Sequence, residues 1–392
     1  MRELDGVDAT GDFAISLLSL FPSVDSTVHP AAARWLGVLR RGSAFGATRG
    51  VLAWFVRSPG VLIGSLMAIL WAFRRTPELL VRSLITWAIA TGHARVIRAR
   101  GIEHLHAHYA TYPALAAWVI GRLTGVPYSF TAHAHDIYLD QSFLHRLVPD
   151  AAFVCAISTF NAKILAAYDP DGRTPLHVVH MGVDTDRYAF RSRVPPREGP
   201  VRVGCVASLQ EYKGHRVLFE AMAAGRGGPL DRIELDLAGG GELREELMAL
   251  ARTLGIAERV RFHGRLIEPR VAELLDRAHL FVLPSIIVKR SGWMEGIPVS
   301  LVEAMAVGLG VVTTRTSGVP ELVRDGQTGL LADESDPMAL AAVLARAIEE
   351  PEHEAARRLR AARALVEADF DARACARRMA QLFAASSVSG RP

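Results

Sequence analysis

Two glutamates, Glu295 and Glu303, lie eight positions apart in the segment that begins at Leu283. Glu295 belongs to a Met-Glu-Gly-Ile-Pro loop in which Gly296 lets the backbone come close to a ligand. Pro298 has its φ preset and suits the first turn of a helix predicted over Val299 to Val307. Gly308 and Gly310 end that helix, and Val311-Val312 opens the next strand. One carboxylate is thus offered by a loop at a helix N-terminus and the other by the helix itself. Amides at such an end attract phosphate, and carboxylates accept bonds from hydroxyls, so an anionic, polyhydroxylated ligand fits. Two surface glutamates at this spacing are common, so the surrounding residues must add weight.

Three further constellations do. Gly239, Gly240 and Gly241 fall between a predicted strand, Ile233 to Ala238, and a predicted helix, Glu242 to Leu254. Glycines there bring amides up to a phosphate, although tight strand-to-helix turns use glycine anyway. Lys213, one of only three lysines, precedes Gly214 after the strand Val201 to Val206, where it could serve a pyrophosphate as a point charge. In the first half, Phe130-Thr131-Ala132-His133-Ala134-His135-Asp136 ends a strand, Pro127 to Thr131, with three titratable residues that packing does not explain. His104, His106 and His108 alternate on another strand. A zinc site among these histidines is a rival reading. Three donors in one short loop converge poorly, however, and no fourth ligand is evident, which counts against it.

The elements that must position these groups alternate. Strands are predicted at Phe13 to Leu20, Ile102 to Ala107, Pro127 to Thr131, Ala152 to Ile157, Leu176 to His180, Val201 to Val206, Ile233 to Ala238, Val260 to His263 and Leu280 to Leu283, with helices between most of them. Such alternation gives α/β domains with parallel sheets. Arg191 to Pro200, rich in proline and charge, reads as a linker. It divides a Rossmann-like domain over 1–190 from a second over 201–365, and a C-terminal helix and tail over 366–392 return to the first. Ligands in doubly wound sheets bind beyond the C-terminal strand ends.

Half the residues are hydrophobic and 22% are charged, so the chain is a folded one, and a net charge of +4 over 392 residues does not call for nucleic acid. The charge is uneven: Ala31 to Arg100 holds eleven arginines and one acid, Glu78, with Trp35, Trp54, Trp71 and Trp87 among helical patterns. Amphipathic helices with solvated arginines explain this, and so does a face with aromatic anchors toward an anionic membrane. Ser58 to Phe73 is apolar but, at sixteen residues, short of the roughly 20 that span a bilayer. Cys155, Cys205 and Cys375 are scattered and odd in number, which suits structural thiols in a reducing compartment. The polar, acidic start MRELDGVDATGD is unlike a signal peptide.

The segment MEGIPVSLVEAMAVGLGVVTTRTSGVPELVRDGQTGLL resembles the nucleotide-sugar site of retaining GT-B glycosyltransferases of family four, and the likeness extends along nearly the whole chain. The resemblance implies a GT-B fold and sugar transfer from a nucleotide-sugar donor with retention, without a metal. Glu295 would lie by the donor sugar, with Gly296, Ile297 and Pro298 beside it, and Glu303 would bind the ribose hydroxyls. Ala238 to Leu243 is similar to that family's GxGxL element. Ser208 to Gly214 looks like its GRL-x-x-x-KG signature, with Ser208 in place of the arginine and Ala207 in place of the glycine, which shifts phosphate neutralisation to Lys213, to amides, or to an arginine such as Arg265. Leu266 and Val288 would line the nucleotide pocket. The loop containing His133 matches F-x-x-H-x-x-D, which assigns His133 to the donor sugar and acceptor. Ser158 and Gly182 match flanking positions. HAHDIY, SLQEYKGHRVL and MEGIPVSLVEAMA together look most like the exopolysaccharide and colanic-acid branch. That implies a saccharide or lipid-linked acceptor and a cytoplasmic enzyme peripheral on the inner face of the plasma membrane. The family's first strand and glycine loop have no counterpart, so the chain is expected to start at the second strand of its first domain. A nucleotide-sugar epimerase and a non-catalytic sugar-nucleotide-binding scaffold are the alternatives.

Overall fold

The structure, a computed structural model, describes residues 2–21 and 30–389. The chain divides into two compact units, one running up to Val179 and resuming at Ala376, the other spanning His180–Cys375. The segment predicted as a linker is fastened within the second unit. Arg193 bridges in parallel to Leu309, and its guanidinium donates to the Val307 carbonyl and pairs with Asp276.

In the first unit β1 (Leu17–Ser19) and β2 (Leu39–Arg41) pair in parallel with each other. A second, four-stranded parallel sheet has the order β3-β4-β5-β6, from Leu105–His108, Tyr128–Ala132, Phe153–Ala156 and Leu176–Val178. The strand predicted over Phe13 to Leu20 is therefore three residues long. β4 and β5 are buried along their whole length, as near-continuous apolar runs in parallel sheets must be. Helices Ala44–Arg57, Pro59–Ala72 and Pro77–Arg100 precede β3, and Gly101, in the left-handed region at φ 64°, ends the third.

Three of the four tryptophans in this region point inward, so at these three positions the reading as surface anchors fails. Trp54 donates its indole N–H to the Thr91 carbonyl, Trp87 to the Ser65 hydroxyl and Trp35 to Asp5, so each apolar ring is buried without leaving its donor unpaired. Trp71 alone of the four is exposed, in company with Phe45, Leu52, Phe55, Val56, Ile63 and Met67 from the same two helices. Among the described residues no helix is long and apolar enough to cross a membrane.

The second unit holds a six-stranded parallel sheet, with β7 (Val201–Val206), β8 (Ile233–Ala238), β9 (Val260–Gly264), β10 (Leu280–Leu283), β11 (Gly310–Thr314) and β12 (Leu330–Ala332) ordered β12-β11-β10-β7-β8-β9. The chain lays β8 and β9 on one side of β7 and then crosses to lay β10, β11 and β12 on the other. β7 and β10 are thus the neighbours between which the winding reverses, and loops leaving their carboxyl ends diverge into a crevice. The last predicted helix, Glu354 to Ala385, is two: Glu352–Asp369 and Ala372–Ser389. Asp371 breaks it, because its carboxylate accepts from the Ala374 amide as an N-cap while also taking the Thr185 hydroxyl. Gly182 packs so closely on the Ala372 backbone that a Cβ there would sit 2.5 Å from the Ala372 Cα.

Candidate active site

Within the second unit the winding reversal brings two predicted residues into contact. Lys213 ends a short 3-10 turn, Glu211–Lys213, in the loop after β7. Glu295 lies in the loop after β10. The Lys213 ammonium pairs with one Glu295 oxygen, and the Ser285 hydroxyl donates to the other at 3.1 Å. Both side chains are mostly buried, 11% and 15% exposed, so the pair is a desolvated one. The Ser317 hydroxyl donates to the Glu295 and Gly296 carbonyls, which fixes the backbone of the loop that carries the acid. Gly214 has a positive φ of 70°, and a Cβ on it would lie 1.8 Å from the Pro284 carbonyl oxygen. Only glycine lets the Lys213 turn close against the loop after β10.

A second cluster hangs on the same β7 loop. A Cβ on Gly239 would lie 1.7 Å from the Ala207 carbonyl oxygen, and one on Gly241 would lie 2.4 Å from that of Leu209. The Leu209 amide donates to the Gly240 carbonyl, and the Ser208 hydroxyl donates to the Gln210 side-chain oxygen. Arg265 lies over Gly240, its Nε 2.9 Å from where a Cβ would be, so the glycine turn, Ser208 and Arg265 are brought together. Leu266 packs against the core next to Arg265. The Val299–Val307 helix has the bounds that were predicted, but Pro298 is its N-cap and not part of its first turn. Proline offers no side-chain cap, so the Val299 and Ser300 amides stay open to an anion while that of Leu301 donates to the Pro298 carbonyl, and Gly296, Ile297 and Pro298 lie buried ahead of them. Glu303 is half-buried on the helix. His215, beside Lys213, is buried with neither ring nitrogen bonded to another described residue; burial first and the neighbouring cation second push its pKa down to about 4.

In the first unit His133 follows β4. Its amide, with those of Ala134 and Ala110, donates to the carboxylate of Asp136, a buried residue. One acid therefore ties the end of β3 to the end of β4. His133 Nε2 lies 3.3 Å from His108 Nδ1, and the Tyr109 ring lies over the His133 ring with centroids 4.4 Å apart. Burial, and then the neighbouring His108, lower the His133 pKa below the usual range. Among the described residues one group, Glu3, His106 and His108, offers three metal-ligand atoms within 4.8 Å of one another. Both ring nitrogens of His106 are already engaged, by the Ser129 and Thr131 hydroxyls, and His108 Nε2 is 3.1 Å from Glu3. His135 is exposed and outside this group. Ser158 caps the Thr159–Ala166 helix by accepting from the Asn161 amide.

Residues 186–364 match the family described as Glycosyl transferases group 1, and residues 65–187 match Glycosyltransferase Family 4. Both matches are to glycosyltransferase family models, each over less than half of the chain. It is 35% identical over 209 residues to the amylovoran biosynthesis glycosyltransferase AmsK of Erwinia amylovora, a match that takes in 53% of this chain and 50% of AmsK. It is 36% identical over 213 residues to WcaL of Escherichia coli, a glycosyltransferase assigned to colanic acid biosynthesis, with 54% of this chain and 52% of WcaL covered. The chain thus spans about half the length of the curated relatives it matches. Among solved structures, Anabaena HepE in complex with UDP superposes with a TM-score of 0.65 at 20% identity, over 76% of this chain and 82% of that one. The fold of the chain is GT-B.

Proposed function

We propose that this chain transfers a sugar, with retention, from a nucleotide-sugar donor to a saccharide or lipid-linked saccharide in exopolysaccharide synthesis. The observation that carries the reading is the Lys213–Glu295 pair at the winding reversal of the second sheet, flanked by the uncapped helix end. In this reading the donor diphosphate displaces the Glu295 carboxylate from Lys213 and takes the open amides of the Val299–Val307 helix, which also stabilise the leaving nucleotide diphosphate. Freed Glu295 then holds donor-sugar hydroxyls, Glu303 the ribose, and Gly239, Gly240, Gly241, Ser208 and Arg265 the phosphates, with Leu266 against the base. His133, neutral at physiological pH, offers a ring nitrogen to the sugars. Neither a metal nor another cofactor enters the scheme. AmsK and WcaL support the polysaccharide assignment by likeness, and HepE supports a nucleotide donor.

We place the enzyme in the cytoplasm, on the inner face of the plasma membrane. The exposed side chains of Phe45, Phe55, Val56, Met67 and Trp71, with Arg49 and Arg74 beside them, suit an anionic lipid surface. Sedimentation with anionic liposomes tests this part: charge reversal at Arg40, Arg41, Arg74 and Arg75 should release the protein, and unchanged partitioning would contradict it.

The enzyme reading is tested by nucleoside diphosphate release across a panel of nucleotide sugars. One donor should turn over in the wild type and none in Glu295→Ala. Tight donor binding without release in either protein would make the chain a sugar-nucleotide-binding scaffold, a reading that Ser208 at the usual arginine position favours.

A further inference from the structure

Tyr109 is one of three non-glycine residues with positive φ among those described, at 78°, and the one aromatic among them. An aromatic side chain is strained in this region of backbone space, and a glycine would make the turn after β3 without cost. The turn is held from both sides: the Tyr109 amide donates to the Thr131 carbonyl at 2.9 Å, and the next amide, of Ala110, donates to Asp136 at 2.7 Å. The bend itself therefore does not call for a ring.

What the bend does is throw the ring out beyond the carboxyl ends of β3 and β4, where parallel sheets bind ligands. One ring face lies over His133 at 4.4 Å, tilted by 32°, yet the residue is 52% exposed. His133 is in turn held by His108 at 3.3 Å, and His108 Nε2 is steadied by Glu3. A backed, strained, half-open aromatic beside imidazole nitrogens has the composition that a pyranose requires: a flat apolar surface for the C–H face of the sugar, and donors and acceptors at its edge.

We propose that Tyr109 is a saccharide-stacking residue on the first unit, its outer ring face taking the apolar face of a pyranose and the His133 ring nitrogen that His108 does not engage, Nδ1, fixing a hydroxyl. The proposal rests on the glycosyltransferase reading and adds to it a sugar-binding residue outside the nucleotide-binding unit.

Saturation-transfer NMR on the full chain tests it, with the methyl α- and β-glycosides of glucose, galactose and mannose as probes and UDP and GDP as controls. Transfer should reach the ring C–H protons of at least one glycoside in the wild type and in Tyr109→Phe. Tyr109→Gly, which relieves the backbone, should stay folded and bind UDP or GDP as the wild type does, while glycoside binding weakens about 2- to 12-fold, as loss of one aromatic contact implies. Unchanged glycoside transfer in a folded Tyr109→Gly would overturn the proposal. So would absence of any glycoside signal in the wild type while UDP or GDP binds, a result that leaves the donor reading standing. Silence from both glycosides and nucleotides would overturn both.

Discussion

Replacing Lys213 by methionine keeps most of the length of the side chain but removes the cation that, among the described residues, pairs with Glu295. The carboxylate is 15% exposed and, among the described residues, keeps the hydrogen bond from Ser285 at 3.1 Å. An uncompensated buried charge costs about 3–5 kcal/mol, and with this bond retained the expected loss is roughly 3 kcal/mol. Glu295→Met is expected to cost at least as much, because Lys213 is then left with the face of the Tyr212 ring, 5.1 Å away. In a unit of about 200 residues each kcal/mol moves the midpoint by about 2–4 °C, so either change should lower melting by roughly 6–12 °C. The double variant has no orphaned charge and should recover most of the loss, since apolar replacement of a whole buried pair is often neutral. Thermal and urea unfolding of the four proteins read the coupling as a double-mutant cycle. Single losses below about 0.5 kcal/mol that add in the double variant would refute the buried pair and the site built on it.

Gly214→Ala should destabilise the second unit severely and abolish nucleotide binding, because the new Cβ meets the Pro284 carbonyl oxygen at 1.8 Å; Gly227→Ala, at φ 82° with nothing within 4 Å, should cost only about 1–2 kcal/mol by urea titration. Removing the Asp136 carboxylate with alanine leaves the Ala110, His133 and Ala134 amides without their acceptor, so the first unit should lose at least about 3 kcal/mol, and hydrogen exchange at those amides should accelerate. Acidification should weaken the second unit through His215. Its folded pKa of about 4 lies below the ordinary 6.5, so the unfolded chain binds the proton first and stability falls as pH drops from about 6.5 toward 4, by up to about 1.4 kcal/mol per pH unit. His215→Leu should flatten the slope of stability against pH in that window by one proton, and an unchanged slope would contradict the assignment.

Much of the second unit was legible in the sequence. β7, β8, β10 and the Val299–Val307 helix fall at their predicted bounds because apolar runs there are punctuated by glycine and proline. The contact of Lys213 with Glu295 was not legible, because it spans 82 positions and depends on strand order, which periodicity does not report. In the helical region of the first unit, tryptophan spacing left buried rings and surface anchors equally open, and inward acceptors at Thr91, Ser65 and Asp5 bury three of the rings. Asp371 was a readable signal that went unused: an aspartate three residues before a paired amide inside a long helical pattern marks a new N-cap. Tyr109 carried no signal at all, since positive φ is anticipated at glycine and not at tyrosine.

The central claim is that the crevice between the loops after β7 and β10 receives the nucleotide of a sugar donor. Calorimetric titration of the full chain with UDP, GDP, ADP and TDP tests it most directly, alongside Lys213→Met and Glu303→Ala. The account predicts that one nucleoside diphosphate binds the wild type, that Lys213→Met weakens the diphosphate far more than the free nucleoside, and that Glu303→Ala weakens both alike. Binding of a nucleoside diphosphate that neither substitution alters would place the donor elsewhere and contradict the account.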